Sequence, residues 1–308
     1  MGNYVKMLLI IDGSNLAHRS YQKFKNLKSK DGKGSGMIYG FTRLLYQYVN
    51  RFQPTYVLVT FDSKKSKESN FRNKLIKEYK AHRKKLNLHF DYEEFNRQAR
   101  VVRKILRYLN IPVLWDNKGL KHEADDYIAY FTKNHPGKVV IVSSDKDFGQ
   151  LIDDRVKLFS PNKETIVRAE NCKEVYGYEV NECVDFLCLV GDRSDDIPGY
   201  MGIGEVKARK FLDTFGTIEA FLSDPSAEFK GIDRDGLKVL YKRNRKLIDL
   251  NYALKKFPIK KTPLLLNKKG KILLKELYSL LESYTIRSFH TQEFLEPFKK
   301  LKQWEKGL

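Results

Sequence analysis

The chain has 308 residues, with 58 Lys and Arg against 38 Asp and Glu, a formal net charge of +20 and 42% hydrophobic residues. That apolar share can build a sizeable core, which excludes a disordered or collagen-like chain, and the charge favours a polyanionic partner, nucleic acid ahead of a membrane surface. The apolar runs are too short to span a bilayer, no secretory leader pattern opens the chain, and Cys172, Cys183 and Cys188 form neither a disulfide framework nor a zinc site. A cytoplasmic protein with buried thiols and no membrane partner is expected.

In chain order, short β-rich runs are predicted at Met7–Ile11, Tyr56–Phe61, Ile111–Trp115, Lys138–Ser143 and Val156–Ser160, with helical stretches between most of them. The helix before Ile111 shows the clearest stripe, with Phe95, Ala99, Val102, Leu106 and Leu109 at steps of three and four. From about residue 181 the strand signals fade and helical segments separated by Gly and Pro continue to the end. This predicts an α/β core over 1–180, including a basic segment at about 63–90. A helical region over 181–308 should pack on it and hold a helix-hairpin-helix at about 185–222.

In open α/β sheets the ligand site lies beyond the carboxyl ends of the strands, and three runs deliver aspartates there. LLIIDGSN delivers Asp12, YVLVTFD delivers Asp62, and VVIVSSDKD delivers Asp145 and Asp147. Glu123, Asp125 and Asp126 open the helix HEADDYIAYF, and GDRSDDIPG holds Asp192, Asp195 and Asp196. Singly, each reads as a turn former, a helix cap or a complement to the helix dipole. Together they form a crowd of carboxylates that would repel without cations. All-oxygen ligation selects Mg²⁺ or Mn²⁺, and two sets of ligands suggest two ions roughly 4 Å apart for phosphodiester hydrolysis.

The segment Ser63–Phe90 carries ten Lys and Arg against two Glu, interleaved with Phe71, Tyr79 and Phe90. It reads either as a solvated basic helix or as a basic cover over the acidic site. Lys80 and Arg83, three apart, would share a helical face toward a scissile phosphate, Tyr79 would stack on a base, and Arg72 and Lys84 would contact DNA. In GYMGIGEVKARKF, Gly202 and Gly204 would turn the backbone so that amides at the next helix face a phosphate, with Lys207, Arg209 and Lys210 adding charge. Such binding would be independent of sequence and sensitive to salt.

The ordered set DGSN, FD, FRNKLIKEYKAHR, EADD, SSDKDF, GDRSDDIPG and GIG, covering roughly residues 5–260, resembles the structure-specific 5′ nucleases. That family includes flap endonucleases, phage 5′-to-3′ exonucleases and the nuclease domain of bacterial DNA polymerase I. The resemblance implies a PIN-like fold, a central mostly parallel sheet flanked by helices, with a helical arch at 63–90. It implies two Mg²⁺ ions, Mn²⁺ able to substitute. Asp12, Asp62, Glu123 and Asp125 would serve the first site, Asp145, Asp147, Asp192 and Asp195 the second, with Asp126 near or between them. Lys80 and Arg83 match the arch positions that act on the scissile phosphate, and Gly199–Lys210 the hairpin that holds duplex, in some members with K⁺ in its turn.

The implied activity is 5′–3′ exonuclease and flap endonuclease cleavage of DNA with a 5′ flap, nick or 5′ end, RNA primer–DNA hybrids included, in replication or repair. A free-standing monomer of a bacterial cell or phage-infected host, working beside replication proteins, is expected. Asp196 departs from the family, which usually has Asn before IPG. A PIN-like ribonuclease would have little use for the hairpin and the basic segment, and a non-cleaving junction binder is disfavoured by the retained Asp145, Asp147, Asp192 and Asp195.

Overall fold

The computed structural model describes residues 6–62, 70–76, 79–80, 90–115 and 122–304. Among the described residues nine strands and their helices follow in chain order. β1 (Met7–Asp12), α1 (Gly13–Lys23), α2 (Gly36–Phe52) and β2 (Tyr56–Phe61) lead to a short α3 (Arg72–Leu75), α4 (Tyr92–Tyr108) and β3 (Val113–Trp115). Next come α5 (Ala124–Asn134), β4 (Lys138–Val142), a 3₁₀ turn (Lys146–Leu151), β5 (Val156–Ser160), β6 (Thr165–Val167) and α6 (Cys172–Tyr176). The second half holds α7 (Cys183–Val190), a two-residue hairpin of β7 (Gly191–Asp192) and β8 (Ile197–Pro198), α8 (Glu205–Phe215), α9 (Ile218–Ser223), α10 (Arg234–Ile248) and α11 (Leu250–Lys256). β9 (Leu264–Leu265), α12 (Leu274–Glu282) and α13 (Gln292–Lys299) close the described chain.

The sheet runs β6-β5-β4-β1-β2-β3-β9. β1 is parallel to both β2 and β4, and among the described strands of this sheet the edge strands β6 and β9 alone are antiparallel. The inner strands read as unbroken apolar runs because both faces are covered. Leu8, Ile10, Tyr56, Leu58 and Leu114 enter the core on one face, while Leu9, Ile11, Val57, Val59 and Val113 enter the core on the other. The strand order reverses at β1, so a crevice opens beyond the carboxyl ends of β1, β2 and β4, where such sheets hold their ligands.

Two strand pairings depart from the expectation of a purely helical second half, the β7–β8 hairpin and β9. Leu264 and Leu265 pair with Leu114 and Val113, so the C-terminal segment supplies the sheet's edge strand. Leu277, Leu281, Phe289, Phe294, Leu295 and Phe298 then bury in the same core as α2 and α4. Among the described residues no helix is long and apolar enough to cross a membrane.

Candidate active site

Asp12 closes β1 and caps α1, accepting from the Asn15 amide at 2.9 Å and from Ser143 Oγ at 2.8 Å. Ile11 pairs with Val142, so Ser143 emerges from β4 beside Asp12, and its hydroxyl also accepts from the Asp145 amide at 3.1 Å. Asp62 follows β2, with its amide on Ser14 Oγ at 2.9 Å and its carboxylate accepting from the Ala124 amide at 3.0 Å. That bond ties the strand end to the first turn of α5. Asp145 caps the 3₁₀ turn by accepting from the Asp147 amide at 2.9 Å, and Asp147 Oδ1 is buried with no hydrogen-bond partner among the described residues.

Asp192 and Asp195 come from the β7–β8 hairpin. Gly191 there has φ of 78°, and a Cβ on it would strike the backbone of Ile197 and Gly199. Asp192 accepts from the Ser194 amide at 2.7 Å. Asp196 occupies the left-handed region with φ of 56°, a conformation that Asn and Asp tolerate better than other non-glycine residues, so the turn's backbone accounts for either side chain there. Asn244 of α10, fully buried, donates to the Cys188 and Pro198 carbonyls at 3.1 and 2.8 Å and fastens this hairpin to α7.

The carboxylates feel one another. Asp12 is pushed up to about 7, chiefly by burial, with Asp62 and Asp145 adding repulsion against the hydrogen bonds from Asn15 and Ser143. Asp145 is pushed up to about 6, again chiefly by burial, with Asp195 and Asp192 contributing. Asp125 is held well above the carboxylate range by burial and then by Asp145, Asp62 and Asp12. Asp147 is held there by burial and then by Asp145, Asp192 and Asp195. These interactions fall into two groups that meet at Asp145, one with Asp12, Asp62 and Asp125, the other with Asp147, Asp192 and Asp195.

Lys80 is the cation set among them. Its Nζ lies 3.0 Å from Glu123 Oε2 and 3.2 Å from Asp195 Oδ2, and its amide donates to the Asp195 carbonyl at 3.1 Å. Burial works against its charge, but Glu123, Tyr79 and Asp195 outweigh it and raise the ammonium pKa well above the ordinary value. The residue holds a left-handed backbone, φ 57°, which a lysine adopts only when its surroundings impose it.

Two residues of the basic segment differ from expectation. Arg72, expected on DNA, is 2% exposed: its guanidinium forks onto Asp126 at 2.8 and 3.0 Å, and its Nε donates to the Leu247 carbonyl at 2.8 Å. Tyr79, expected to stack on a base, is 7% exposed, with its hydroxyl within reach of Glu123 Oε2 at 3.0 Å and Asp195 Oδ2 at 3.2 Å. The partners of both are carboxylates, which draw these side chains inward. Asp126, expected near the metals, is fully buried and its oxygens are taken by Arg72 and the Glu123 amide at 3.0 Å, so it orients Glu123. Burial would raise its pKa, but Arg72 holds it well below the carboxylate range. Arg83 and Lys84 lie outside the described residues.

In the glycine turn, Gly202, Gly204, Lys207, Arg209 and Lys210 are all exposed, while Ile203, Ala208, Phe211 and Leu212 anchor α8 in the core. Gly202 has φ of 77° and Gly204 precedes the first turn of α8, with open space at both. Lys207 Nζ donates to the Gly202 carbonyl at 2.9 Å, and Arg209 lies against Gly177. Ser14, Ser143 and Asn244 are supporting residues that motif spacing did not single out. The first two sit inside DGSN and SSDKD, where a hydroxyl beside a strand-end aspartate is the usable signal.

Among the described residues no three acidic, histidine or cysteine side chains are arranged to hold an ion as they stand. The donor chemistry nevertheless suits a hard divalent cation. The groups around Asp145 are all-oxygen, their mutual repulsion awaits a counter-charge, and Asp147 Oδ1 is a buried acceptor with no donor among the described residues.

The N-terminal resolvase-like domain of 5′-3′ exonucleases matches residues 7–177, and their C-terminal SAM fold matches 178–262. The 5′-3′ exonuclease of Aquifex aeolicus is 32% identical over 285 residues, 90% of this chain and 95% of that protein. That of Buchnera aphidicola subsp. Schizaphis graminum is 33% identical over 82% of this chain and 87% of its own length. DNA polymerase I of Caldicellulosiruptor bescii is 35% identical over 69% of this chain but 25% of its own length. Among solved structures, T5 5′-exonuclease with zinc ions bound shares the fold at TM-score 0.67 and 20% identity, over 96% of this chain and 97% of that one. The catalytic core of Rad2 in complex with DNA substrate does so at TM-score 0.54 and 15% identity, over 96% and 93%. With family matches running from residue 7 to residue 262 and relatives above 30% identity along most of its length, the chain belongs to the 5′-3′ exonuclease family of structure-specific 5′ nucleases.

Proposed function

We propose that this 5′ nuclease hydrolyses phosphodiesters at 5′ flaps, nicks and 5′ ends of DNA, RNA primer–DNA hybrids included, using two Mg²⁺ ions. The observation that carries the reading is the pair of carboxylate groups meeting at Asp145 beyond the ends of β1, β2 and β4. Asp12, Asp62, Glu123 and Asp125 would hold one ion and Asp145, Asp147, Asp192 and Asp195 the other, with Mn²⁺ an acceptable substitute. Bound there, divalent ions lower the pKa of water and offset charge on the phosphate. Ser143 and Ser14 fix the strand-end aspartates, Arg72 and Asp126 fix Glu123, and Lys80 supplies a cation beside both groups. The exposed turn at Gly202 and Gly204, with Lys207, Arg209 and Lys210, suits the backbone of duplex DNA, and K⁺ in that turn would serve the same contact. We further propose two folding units meeting near residue 180, action as a cytoplasmic monomer, and work in replication or repair beside replication proteins.

The test is cleavage of a labelled 5′ flap, a nicked duplex and a single strand, with Mg²⁺ and with EDTA. Cutting near the junction of the flap, lost in EDTA and in Asp145→Asn while that variant still binds DNA, is the expected result. Normal turnover by Asp145→Asn in Mg²⁺ would overturn the two-ion assignment.

A further inference from the structure

The run LKKFPIKK at 254–261 puts Lys255, Lys256, Lys260 and Lys261 on the surface. Among the described residues none of the four pairs with an acid, whereas Lys173, Arg245, Lys269, Arg287 and Lys299 each hold a carboxylate. Lys255 and Lys256 also complement the C-terminal end of α11, but Lys260 and Lys261 lie beyond any helix.

The fold places this run beside the site. Phe257 stacks on Phe71 at 4.3 Å, where the chain re-enters the described structure after β2. The Pro263 carbonyl then accepts from the Trp115 amide at 3.3 Å, and Trp115 is level with Phe61, the residue before Asp62. Because β9 is antiparallel to β3, the residues before Leu264 lie beyond the carboxyl end of β3. Lys260 and Lys261 therefore approach the catalytic edge on the flank of β9, a strand two places or roughly 10 Å to the side of Asp62's strand. Arg103, 4.2 Å above the Trp115 ring, adds a cation on the same flank. Asp145 and Asp147, which follow β4, lie on the other side of Asp12, in the direction of Asp192 and Asp195.

We propose that Lys255, Lys256, Lys260 and Lys261 form a phosphate track for the unpaired 5′ strand of the substrate. The inference rests on the activity proposed above. With duplex held on the side of Asp192 and the glycine turn, a strand whose scissile phosphate sits at the carboxylates continues toward β3 and β9, where these unpaired cations wait. The four ammonium groups grip backbone charge without reading bases.

The experiment measures equilibrium binding in EDTA across a salt series, on a nicked duplex and on the same duplex bearing a long unpaired 5′ arm. The parent is compared with a variant in which all four lysines are alanine. The arm should strengthen binding by the parent. The variant should lose at least tenfold of that gain, its salt slope for the armed substrate should fall by about 3, and its binding of the nicked duplex should match the parent's. Equal losses on both substrates would make the run a duplex surface and overturn the proposal, as would no loss on either or a parent that gains nothing from the arm. Matching melting temperatures confirm that the variant folds, and Lys260→Gln with Lys261→Gln repeats the test outside the helix if it does not. A parent that binds the arm but cuts nothing in Mg²⁺ would refute the activity while leaving the track standing.

Discussion

Arg72 and Asp126 form a forked, buried ion pair at 2.8 and 3.0 Å that joins the basic segment to the first turn of α5. Through the Arg72 Nε bond to the Leu247 carbonyl it also holds α10, and through the Glu123 amide it sets a carboxylate of the site. Removing one partner strands a buried charge. Arg72→Ala should lower stability by about 3–5 kcal/mol in denaturant unfolding. Arg72→Met combined with Asp126→Leu should recover much of that loss, because no charge is left unpaired, yet bind Mg²⁺ more weakly because Glu123 loses its orientation. A double variant with parental Mg²⁺ affinity would show that the pair only supports the fold.

The carboxylates give stability a pH dependence of definite sign. Asp12 at about 7 and Asp145 at about 6 keep protons in the folded chain at pH values where the unfolded chain has released them. Their ionisation therefore costs stability as pH rises from about 4 to about 7, unless cations compensate. Mg²⁺ binds the ionised forms, so its stabilisation should be large at about pH 8 and shrink toward about pH 5.5. Melting temperatures with Mg²⁺ and with EDTA at both values check this. An equal increment at both would mean that these groups do not meet the ion.

Much of this was legible in the chain itself. Strands buried on both faces need continuous apolar runs, so β1, β2, β4 and β5 stood out, and the sheet's geometry then gathers the aspartates at their ends. β9 did not stand out, since two leucines in a lysine-rich stretch carry no period and pair only because β3 offers an open edge. The inward turn of Arg72 and Tyr79 was not legible for a related reason. Composition treats each residue of a basic run as solvated, whereas their partners Asp126 and Glu123 lie 54 and 44 positions away and meet them only in the folded chain.

The glycine turn separates backbone strain from contact with DNA. Gly202, at φ 77°, would resist any side chain, at a cost of about 1 kcal/mol or more. Gly204, at φ −96°, would accept one without strain, and among the described residues neither position has a heavy atom beyond its own chain neighbours within 4 Å of an added Cβ. Gly204→Val should therefore leave the melting temperature almost unchanged while weakening duplex binding, because its side chain would stand where a phosphate approaches the amides of α8. Gly202→Val should lose both. Parental duplex binding by Gly204→Val at moderate salt would reduce the turn to a helix connection.

Lys80 sits between the two carboxylate groups, 3.0 Å from Glu123 and 3.2 Å from Asp195, which gives it two separable tasks. In the free chain its charge offsets carboxylates that would otherwise repel. On substrate the same ammonium can stabilise charge growing on the phosphate. Lys80→Ala should lower the melting temperature in EDTA and recover in Mg²⁺, since divalent ions replace the lost cation. It should also slow single-turnover cleavage of a saturating 5′ flap on the order of a hundredfold, because a contact that strengthens in the transition state is gone. Flap binding should change far less, as Lys80 is one of ten basic residues in Ser63–Phe90. A variant that cuts at the parental rate in Mg²⁺ yet melts early in EDTA would confine Lys80 to the first task. One that binds many-fold more weakly but cuts normally once saturated would make it a tether for DNA.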